Sequence, residues 1–421
     1  MKIAMFTNTY LPHVGGVAHS VERFARAYRA MGHEVLVVAP TFPELDPDHD
    51  EADVVRVPAI QQFNGSDFSV RLPIPGLLTA ALDRFEPDII HAHHPFLLGD
   101  TALRTAAWRE APLVFTHHTL YERYTHYVPA DSQPLRRFAI SLAVEYCGLC
   151  DHVIAPSESI ADILRQRDVA APITVIPTGV DTQRFASGDR RRWREQLGID
   201  PATTVIGHVG RLAPEKSLEY LARCCGRFMA DRPDTALLIV GDGPSTQQIR
   251  RIANVCGVGD RTHLPGSLTG RDLVDAYHAM DLFAIASTSE TQGMVVAEAM
   301  AVGLPVVGVD ASGVREVVQD RINGRLVAEG DEPAFIDALA WTVDADAERA
   351  ASLKAAAQRT AEELSLSRTA EQALALYQTL LGRRRRERAA SHGWDKLLSR
   401  IEAEWNLLAS RMAAAADAFR K

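Results

Sequence analysis

The chain has 421 residues, 47% of them hydrophobic and 24% charged, an ordinary globular composition whose length suits two domains of about 150–200 residues. A formal net charge of −9 argues against a nucleic-acid-binding protein, whose footprint is a basic patch, and no window approaches the roughly 18 consecutive apolar residues that cross a bilayer. Five cysteines, a low and odd count, indicate a reducing compartment rather than a disulfide framework, and Met1–Phe6 lacks the features of a signal peptide, so a cytoplasmic protein is expected.

In chain order, short apolar or β-branched runs alternate with helical patterns, the rhythm of βαβ units and parallel sheets. The first run is Lys2–Thr7. Pro12-His13-Val14-Gly15-Gly16-Val17 then leads into a helix; paired glycines there form an anion-friendly nest, although a plain tight turn explains them as well. The helix Ser20–Met31 carries Val21, Phe24, Ala25, Tyr28 and Met31 on one face. Arg23, Arg26 and Arg29 fall off it, as a solvated face or part of a lipid-facing surface, and Gly32 takes the C-cap position. Glu34–Ala39 and Asp53–Val57 are the next strands. The acidic loop between them contains Asp46-Pro47-Asp48, which imitates a metal-binding motif but fits a solvated loop better.

Asp88–His91 ends in a histidine and two more follow Leu113–Thr116, so that His91, His93, His94, His117 and His118 crowd the mouths of adjacent strands. A metal site is the weaker reading, and a histidine placed there positions or polarises a hydroxyl. Cys147-Gly148-Leu149-Cys150 has no second pair, and Cys224, Cys225 and Cys256 lack ligand spacing, so it is read as a helix end. His152–Ala155 and Ile173–Ile176 complete the first set of strands. The polar stretch Asp181–Asp200, with Arg190, Arg191 and Arg192 in a row, breaks the rhythm and places a boundary near Thr178–Arg190.

The pattern restarts with Thr204–Val209, Ala236–Val240, Leu282–Ala286, Pro305–Val309 and Gly324–Val327. Just past the first of these, Arg211 and Lys216 suit a diphosphate leaving group. Glu215 before Lys216 rules out a P-loop, and a salt-bridged surface loop is the plain alternative. Val240-Gly241-Asp242-Gly243-Pro244 is a weaker signal of the same kind. The most informative stretch follows Ala286, where a polar loop carries Glu290, Thr291 and Gln292. Gly293 permits close backbone approach, and a helix opens with Met294 and Val295, whose N–H groups and dipole suit a pyrophosphate. Glu298 lies about one and a half turns inside, so one carboxylate can face a sugar and the other a ribose diol; two solvated glutamates are the alternative.

After Leu364 the chain is helical and amphipathic to about Leu381, followed by Arg383-Arg384-Arg385-Arg386. A second helix repeats Trp394, Leu397, Leu398, Ile401, Trp405, Leu408 and Met412 at three- and four-residue spacing. From Gly382 to Lys421 ten Lys/Arg face five Asp/Glu, a local charge of +5. Two readings stand open. The stripe lies on an anionic bilayer, or the helix docks on the first domain or a second subunit.

Together these segments resemble glycosyltransferase family 4, with the GT-B fold, from Met1 to about Leu381; the most specific part is Glu290 to Glu298 with Gly293-Met294-Val295 inside. Thr7-Asn8-Thr9-Tyr10-Leu11-Pro12, Gly15-Gly16-Val17, Phe115-Thr116-His117-His118-Thr119-Leu120-Tyr121-Glu122 and Ile176-Pro177-Thr178-Gly179-Val180-Asp181 are similar to bacterial diacylglycerol glucosyltransferases. The resemblance implies an α/β protein of two Rossmann-like domains facing across a cleft, to which the residue pattern itself adds a C-terminal helical tail. Residues 1–180 would form the acceptor side and 181–381 the nucleotide-sugar side, whose last helix crosses back; 382–421 would be the basic tail. It further implies metal-independent, retaining transfer of a hexose, glucose, from a UDP-sugar to diacylglycerol or another lipid or glycan acceptor, at the inner face of the plasma membrane.

Residue by residue, the resemblance puts Arg211 and Lys216 on the diphosphate, Gly15 and Gly16 under its side of the cleft, and Glu298 on the ribose. Gly241, Gly243, Thr291, Gln292, Gly293, Met294 and Val295 join the donor site. Glu290 and His118 stand at the donor sugar as the catalytic pair. No residue stands out as a nucleophile, and the family expectation is that the leaving diphosphate itself accepts the acceptor's proton. The tail after Leu381 is not covered by the resemblance. Competing readings are a same-fold epimerase or phosphorylase, and a non-catalytic nucleotide-sugar-binding scaffold. The loops Ile60–Pro75 and Tyr121–Pro134, where acceptor specificity would lie, carry no readable code.

Overall fold

Continuous apolar runs, as opposed to alternating ones, belong to strands covered on both faces, and here they become parallel strands. The structure, a computed structural model, describes residues 1–13, 15–42, 53–60, 70–71, 77–123, 132–390 and 395–418. These residues divide into two units, one of Met1–Gly179 together with the chain from Leu366 onward, the other of Val180–Ser365.

In the first unit the strands are β1 (Lys2–Phe6), β2 (Glu34–Pro40), β3 (Val54–Val57), β4 (Ala59–Ile60), β5 (Val70–Arg71), β6 (Ile89–Ala92), β7 (Leu113–Thr116), β8 (His152–Ala155) and β9 (Ile173–Val175). Seven of them form a parallel sheet in the order β3-β2-β1-β6-β7-β8-β9, and β4 pairs antiparallel with β5. The second unit holds β10 (Thr204–Val209), β11 (Thr235–Val240), β12 (Thr262–Gly266), β13 (Leu282–Ile285), β14 (Val306–Val309) and β15 (Gly324–Val327), in the parallel order β12-β11-β10-β13-β14-β15. In each sheet the strand order reverses beside the first strand, between β1 and β6 and between β10 and β13. Loops leaving the carboxyl ends of such a pair part in opposite directions, and ligands bind where they part. The strand β12 was not anticipated. Its Pro265 cannot donate to a ladder, which confines the run to the sheet edge that it occupies.

The helix Gly16–Ala30 buries Val21, Phe24, Ala25 and Tyr28, as their spacing predicts. They share a core with Ala370, Ala373, Leu374, Tyr377 and Leu380 of the helix Leu366–Ala390. That packing takes the helix into the first unit, and the second unit ends at Ser365. There is no break at 381/382. The helix runs on through Gly382 and the arginines, since one helical glycine costs only about 1 kcal/mol and arginine is a good helix former.

One surface expectation is corrected. Arg23 is buried, as are Ser20 and Ala27 one turn to either side, so the covered stripe of its helix is wider than the apolar part. Arg29 donates to the Val35 carbonyl at 2.9 Å and pairs with Asp53, while Arg26 pairs with Glu22. The C-terminal helix Asp395–Ala418 lies on the helices Leu98–Arg109 and Gln133–Gly148 of the same unit. It turns Leu407, Ser410 and Ala414 inward, and Trp405, Leu408 and Met412 remain 69%, 54% and 65% exposed. Ser410 and Ala414 on the inward face let the helices approach closely beside Leu407. Glu404 pairs with Arg104 at 2.7 Å, and Arg411 pairs with Asp100. Trp394 and the side chains of Leu397, Leu398 and Ile401 lie outside the described residues, as do Asp46-Pro47-Asp48 and most of the loops 60–75 and 121–134.

Among the described residues no helix is long and apolar enough to cross a membrane. Cys147 and Cys150 are buried at a helix end; burial pushes the Cys147 thiol up to about 12, and the Cys150 thiol donates to the Tyr146 carbonyl at 3.2 Å.

Candidate active site

In the second unit the loops behind β10 and β13 flank the point where strand order reverses. The first is fixed by its own backbone. Gly210 N donates to the Val240 carbonyl at 3.0 Å, Leu212 N to that of Asp242 at 2.8 Å, and Ser245 N to that of Leu212 at 2.8 Å. A Cβ on Gly241 would come within 1.9 Å of the Gly210 oxygen, and one on Gly243 within 2.4 Å of the Leu212 oxygen. The Gly-x-Gly signal therefore serves the packing of loop on loop. Beyond it Pro214–Lys216 makes a single tight turn before the helix Leu218–Ala230.

The Ser289 hydroxyl donates to the Glu215 carbonyl at 3.1 Å, drawing the two loops together and placing Lys216 Nζ 2.6 Å from Glu290 Oε1. These side chains are only 19% and 17% exposed. Burial alone would raise the Glu290 carboxyl; the charge and hydrogen bond of Lys216, then the Ser287 hydroxyl, outweigh it and hold the carboxyl below its ordinary value. Arg211 pairs with Glu215 at 2.5 Å and stays 44% exposed. Each expected phosphate-binding cation thus rests on a carboxylate. Alongside the pair, burial lowers His208 to about 4, and its Nδ1 lies 2.9 Å from the Ala284 carbonyl.

Gly293, at φ 72°, caps the helix Met294–Val302, whose start has no side-chain cap and no acidic residue. Its first N–H groups and positive dipole end are suited to an anion. The left-handed cap has a close neighbour, since a Cβ on Gly293 would sit 2.7 Å from the Gly313 oxygen. One on Gly313 (φ 78°) would sit 2.6 Å from the Glu290 oxygen. The turn after β14 therefore packs backbone to backbone on the Glu290–Gly293 loop. Gly313 was missed in the sequence, where a glycine four residues past a strand end was its only signal. Gln292 is buried, and Thr291, Met294 and Val295 are half-buried.

Glu298 is 6% exposed and accepts a hydrogen bond from the Tyr277 hydroxyl at 3.0 Å. Tyr277, on the helix Gly270–Ala279, positions that carboxylate. It too escaped the sequence reading, because a tyrosine on an apolar helix face resembles core.

The remaining expected residues belong to the first unit. Gly15 is an extended N-cap and Gly16 opens a helix that lacks a side-chain cap and an acidic first turn. At the ends of adjacent β6 and β7, His91 Nε2 lies 2.7 Å from Thr116 Oγ1, and its Nδ1 lies 2.7 Å from the Tyr377 hydroxyl, which meets that of Tyr28 at 3.2 Å. Asn8 N donates to His94 Nδ1 at 3.1 Å, and His93 Nδ1 lies 2.9 Å from His118 Nε2. Burial lowers His91 and His94 to about 3 and His117 to about 4. His93 and His118 are lowered by burial and then by neighbouring imidazoles. All five are neutral at physiological pH. Among the described residues no three or more His, Cys, Asp or Glu are grouped to hold a metal ion.

Residues 14–184 match the family described as Glycosyltransferase Family 4, and residues 189–360 match Glycosyl transferases group 1. The chain is 28% identical to the alpha-monoglucosyldiacylglycerol synthase of Streptococcus pneumoniae over 82% of its own length and 79% of the relative's. It is 31% identical to the GDP-mannose-dependent alpha-mannosyltransferase of Mycolicibacterium smegmatis over 91% and 99%. Among solved structures, the sucrose-phosphate synthase of Thermosynechococcus elongatus superposes with a TM-score of 0.70 at 23% identity, covering 90% of this chain and 99% of that one.

Proposed function

The chain belongs to glycosyltransferase family 4, as an enzyme of the glycosyltransferase class with the two-domain α/β GT-B fold, and from that premise we propose that it transfers glucose from UDP-glucose to diacylglycerol or a closely related lipid, with retention and without a metal ion. The observation that carries the donor half is the Lys216–Glu290 pair, 2.6 Å apart in the loops that flank the strand reversal. In this reading Lys216 and Arg211 neutralise the charge that grows on the departing diphosphate, together with the start of the helix at Met294. Glu298, steadied by Tyr277, takes the ribose hydroxyls; Glu290 and His118 take hydroxyls of the sugar. No side chain is assigned the acceptor's proton, which passes to the leaving phosphate on the same face. The name of the pneumococcal relative supports glucose and a diacylglycerol-type lipid.

A second reading, mannosyl transfer from GDP-mannose, is supported by the likeness to the mycobacterial enzyme along most of the chain. Offering UDP-glucose and GDP-mannose separately with diacylglycerol vesicles separates the two. The expected result is UDP release with an α-linked glucosyl lipid, unchanged by EDTA. Release of GDP with a mannosyl lipid instead moves the assignment to the second reading, and no transfer from either donor overturns both.

A lipid acceptor places the enzyme at a bilayer, at its cytoplasmic face in this reading. Trp405, Leu408 and Met412 are exposed along one face, and Arg383 and Arg386 are exposed at the end of the preceding helix. They supply apolar and cationic elements for peripheral binding. Replacing Trp405, Leu408 and Met412 together by serine is expected to weaken sedimentation with anionic vesicles several-fold at unchanged melting temperature. Undiminished sedimentation removes this face from membrane contact.

A further inference from the structure

The histidines at the ends of β6 and β7 are ordered by their hydrogen bonds. His91 has both ring nitrogens engaged, one by Thr116 and one by Tyr377, so it has none left for its neighbours. The His93 ring lies against it with centroids 4.1 Å apart, which fixes the plane of His93. His93 and His118 are inclined by only 25° with centroids 5.2 Å apart and Nδ1···Nε2 at 2.9 Å, an edge-to-edge hydrogen bond rather than a face stack. One of the two nitrogens must carry the shared proton.

The other nitrogen of His93 decides which. His93 is 0% exposed, and its Nε2 is buried without a hydrogen-bond partner among the described residues. A neutral imidazole has one N–H. If His118 donated, the proton of His93 would sit on Nε2, a buried donor with nothing to receive it; if His93 donates from Nδ1, Nε2 is only a bare acceptor. Orphaned buried donors are the rarer and costlier case. With its Nε2 accepting from His93, His118 carries its own proton on Nδ1.

We infer that His93 is a positioning residue that holds His118 in the Nδ1–H tautomer, so that His118 presents substrate with a hydrogen-bond donor and not a basic nitrogen. This rests on the reading of His118 as a substrate-facing group. Its role is then donation to a sugar oxygen, in keeping with a transfer in which no side chain removes the acceptor's proton. Thr116 and Tyr377 act one step further back, by fixing His91 beneath His93.

Nitrogen-15 NMR of the histidine rings in the full chain tests this near neutral pH, with the His118 signals identified by their loss in His118→Asn. The expected spectrum shows His118 protonated on Nδ1 and bare on Nε2. In His93→Ala, His118 moves towards the Nε2–H form that free imidazole favours. In His93→Asn, whose amide can stand in for the Nδ1–H donor, it stays. Turnover follows, with kcat falling roughly tenfold in His93→Ala at a donor KM within about twofold of wild type, and largely recovering in His93→Asn. A wild-type His118 protonated on Nε2, or an unmoved tautomer in His93→Ala, overturns the proposal even if sugar transfer is intact. Should His93→Ala fail to fold, the wild-type and His93→Asn spectra decide it. The expected tautomers in a chain that transfers no sugar leave the His93–His118 pair standing and overturn the function instead.

Discussion

Lys216→Ala is expected to lower kcat/KM for the nucleotide sugar about 10²–10³-fold, roughly 3–4 kcal/mol of transition-state stabilisation. The ammonium is paired with Glu290, four residues before an uncapped helix start, and the diphosphate it would face gains charge as the sugar bond breaks, so its contribution grows towards the transition state. In the resting protein that ammonium is 2.6 Å from Glu290. Donor binding therefore exchanges one anionic partner for another. Glu290→Gln keeps the shape and one acceptor but removes the competing charge. UDP is expected to bind this variant several-fold more tightly by calorimetry while transfer falls, because Glu290 also serves the sugar. Arg211→Ala should lose less, since Arg211 is 44% exposed and solvent and salt screen its charge. Wild-type turnover in Lys216→Ala would remove the residue from the chemistry, and an unchanged UDP affinity in Glu290→Gln would show that the pair does not compete with the donor.

Mild acid is expected to destabilise the first unit steeply. His91, His94 and His117 are 2%, 6% and 1% exposed, and burial lowers them to about 3, 3 and 4. In the unfolded chain each titrates near 6.5. Between those values the unfolded chain binds more protons than the folded one, so stability is present above about pH 6.5 and is lost as pH falls towards the folded values. The three histidines together give a slope of about 4 kcal/mol per pH unit between about pH 5.5 and 4.5. His93 and His118, lowered for the same reason, act with the same sign. Against a total stability of about 5–15 kcal/mol, unfolding of this unit is expected between about pH 5 and 4. Urea titrations at a series of pH values measure the slope. His117→Phe, which replaces an imidazole with no hydrogen bond at either buried nitrogen among the described residues, should flatten it by about 1.4 kcal/mol per pH unit. A stability that does not change between pH 7 and 5 would show that these imidazoles are not held neutral by burial.

Much of this could be read along the chain. Runs such as Leu282–Ala286 are apolar without alternation, which marks strands covered on both sides, and the lone glycine between Gln292 and Met294 marks a helix start. Those are local facts, because backbone preference and burial periodicity are properties of neighbouring residues. Local pattern also located the cations behind β10 and the carboxylates behind β13. What it does not contain is the order of strands. Only that order makes Lys216 and Glu290, 74 residues apart, an ion pair, and His93 and His118, 25 apart, a hydrogen-bonded pair. The same holds for Gly313 against Gly293, for the Tyr277 hydroxyl on Glu298, and for the C-terminal helix, which packs Leu407, Ser410 and Ala414 inward while Trp405, Leu408 and Met412 stay out. A sequence shows that a face must be covered; which element covers it, and so which atoms meet, is decided when the sheets assemble and the helices compete for the same surfaces.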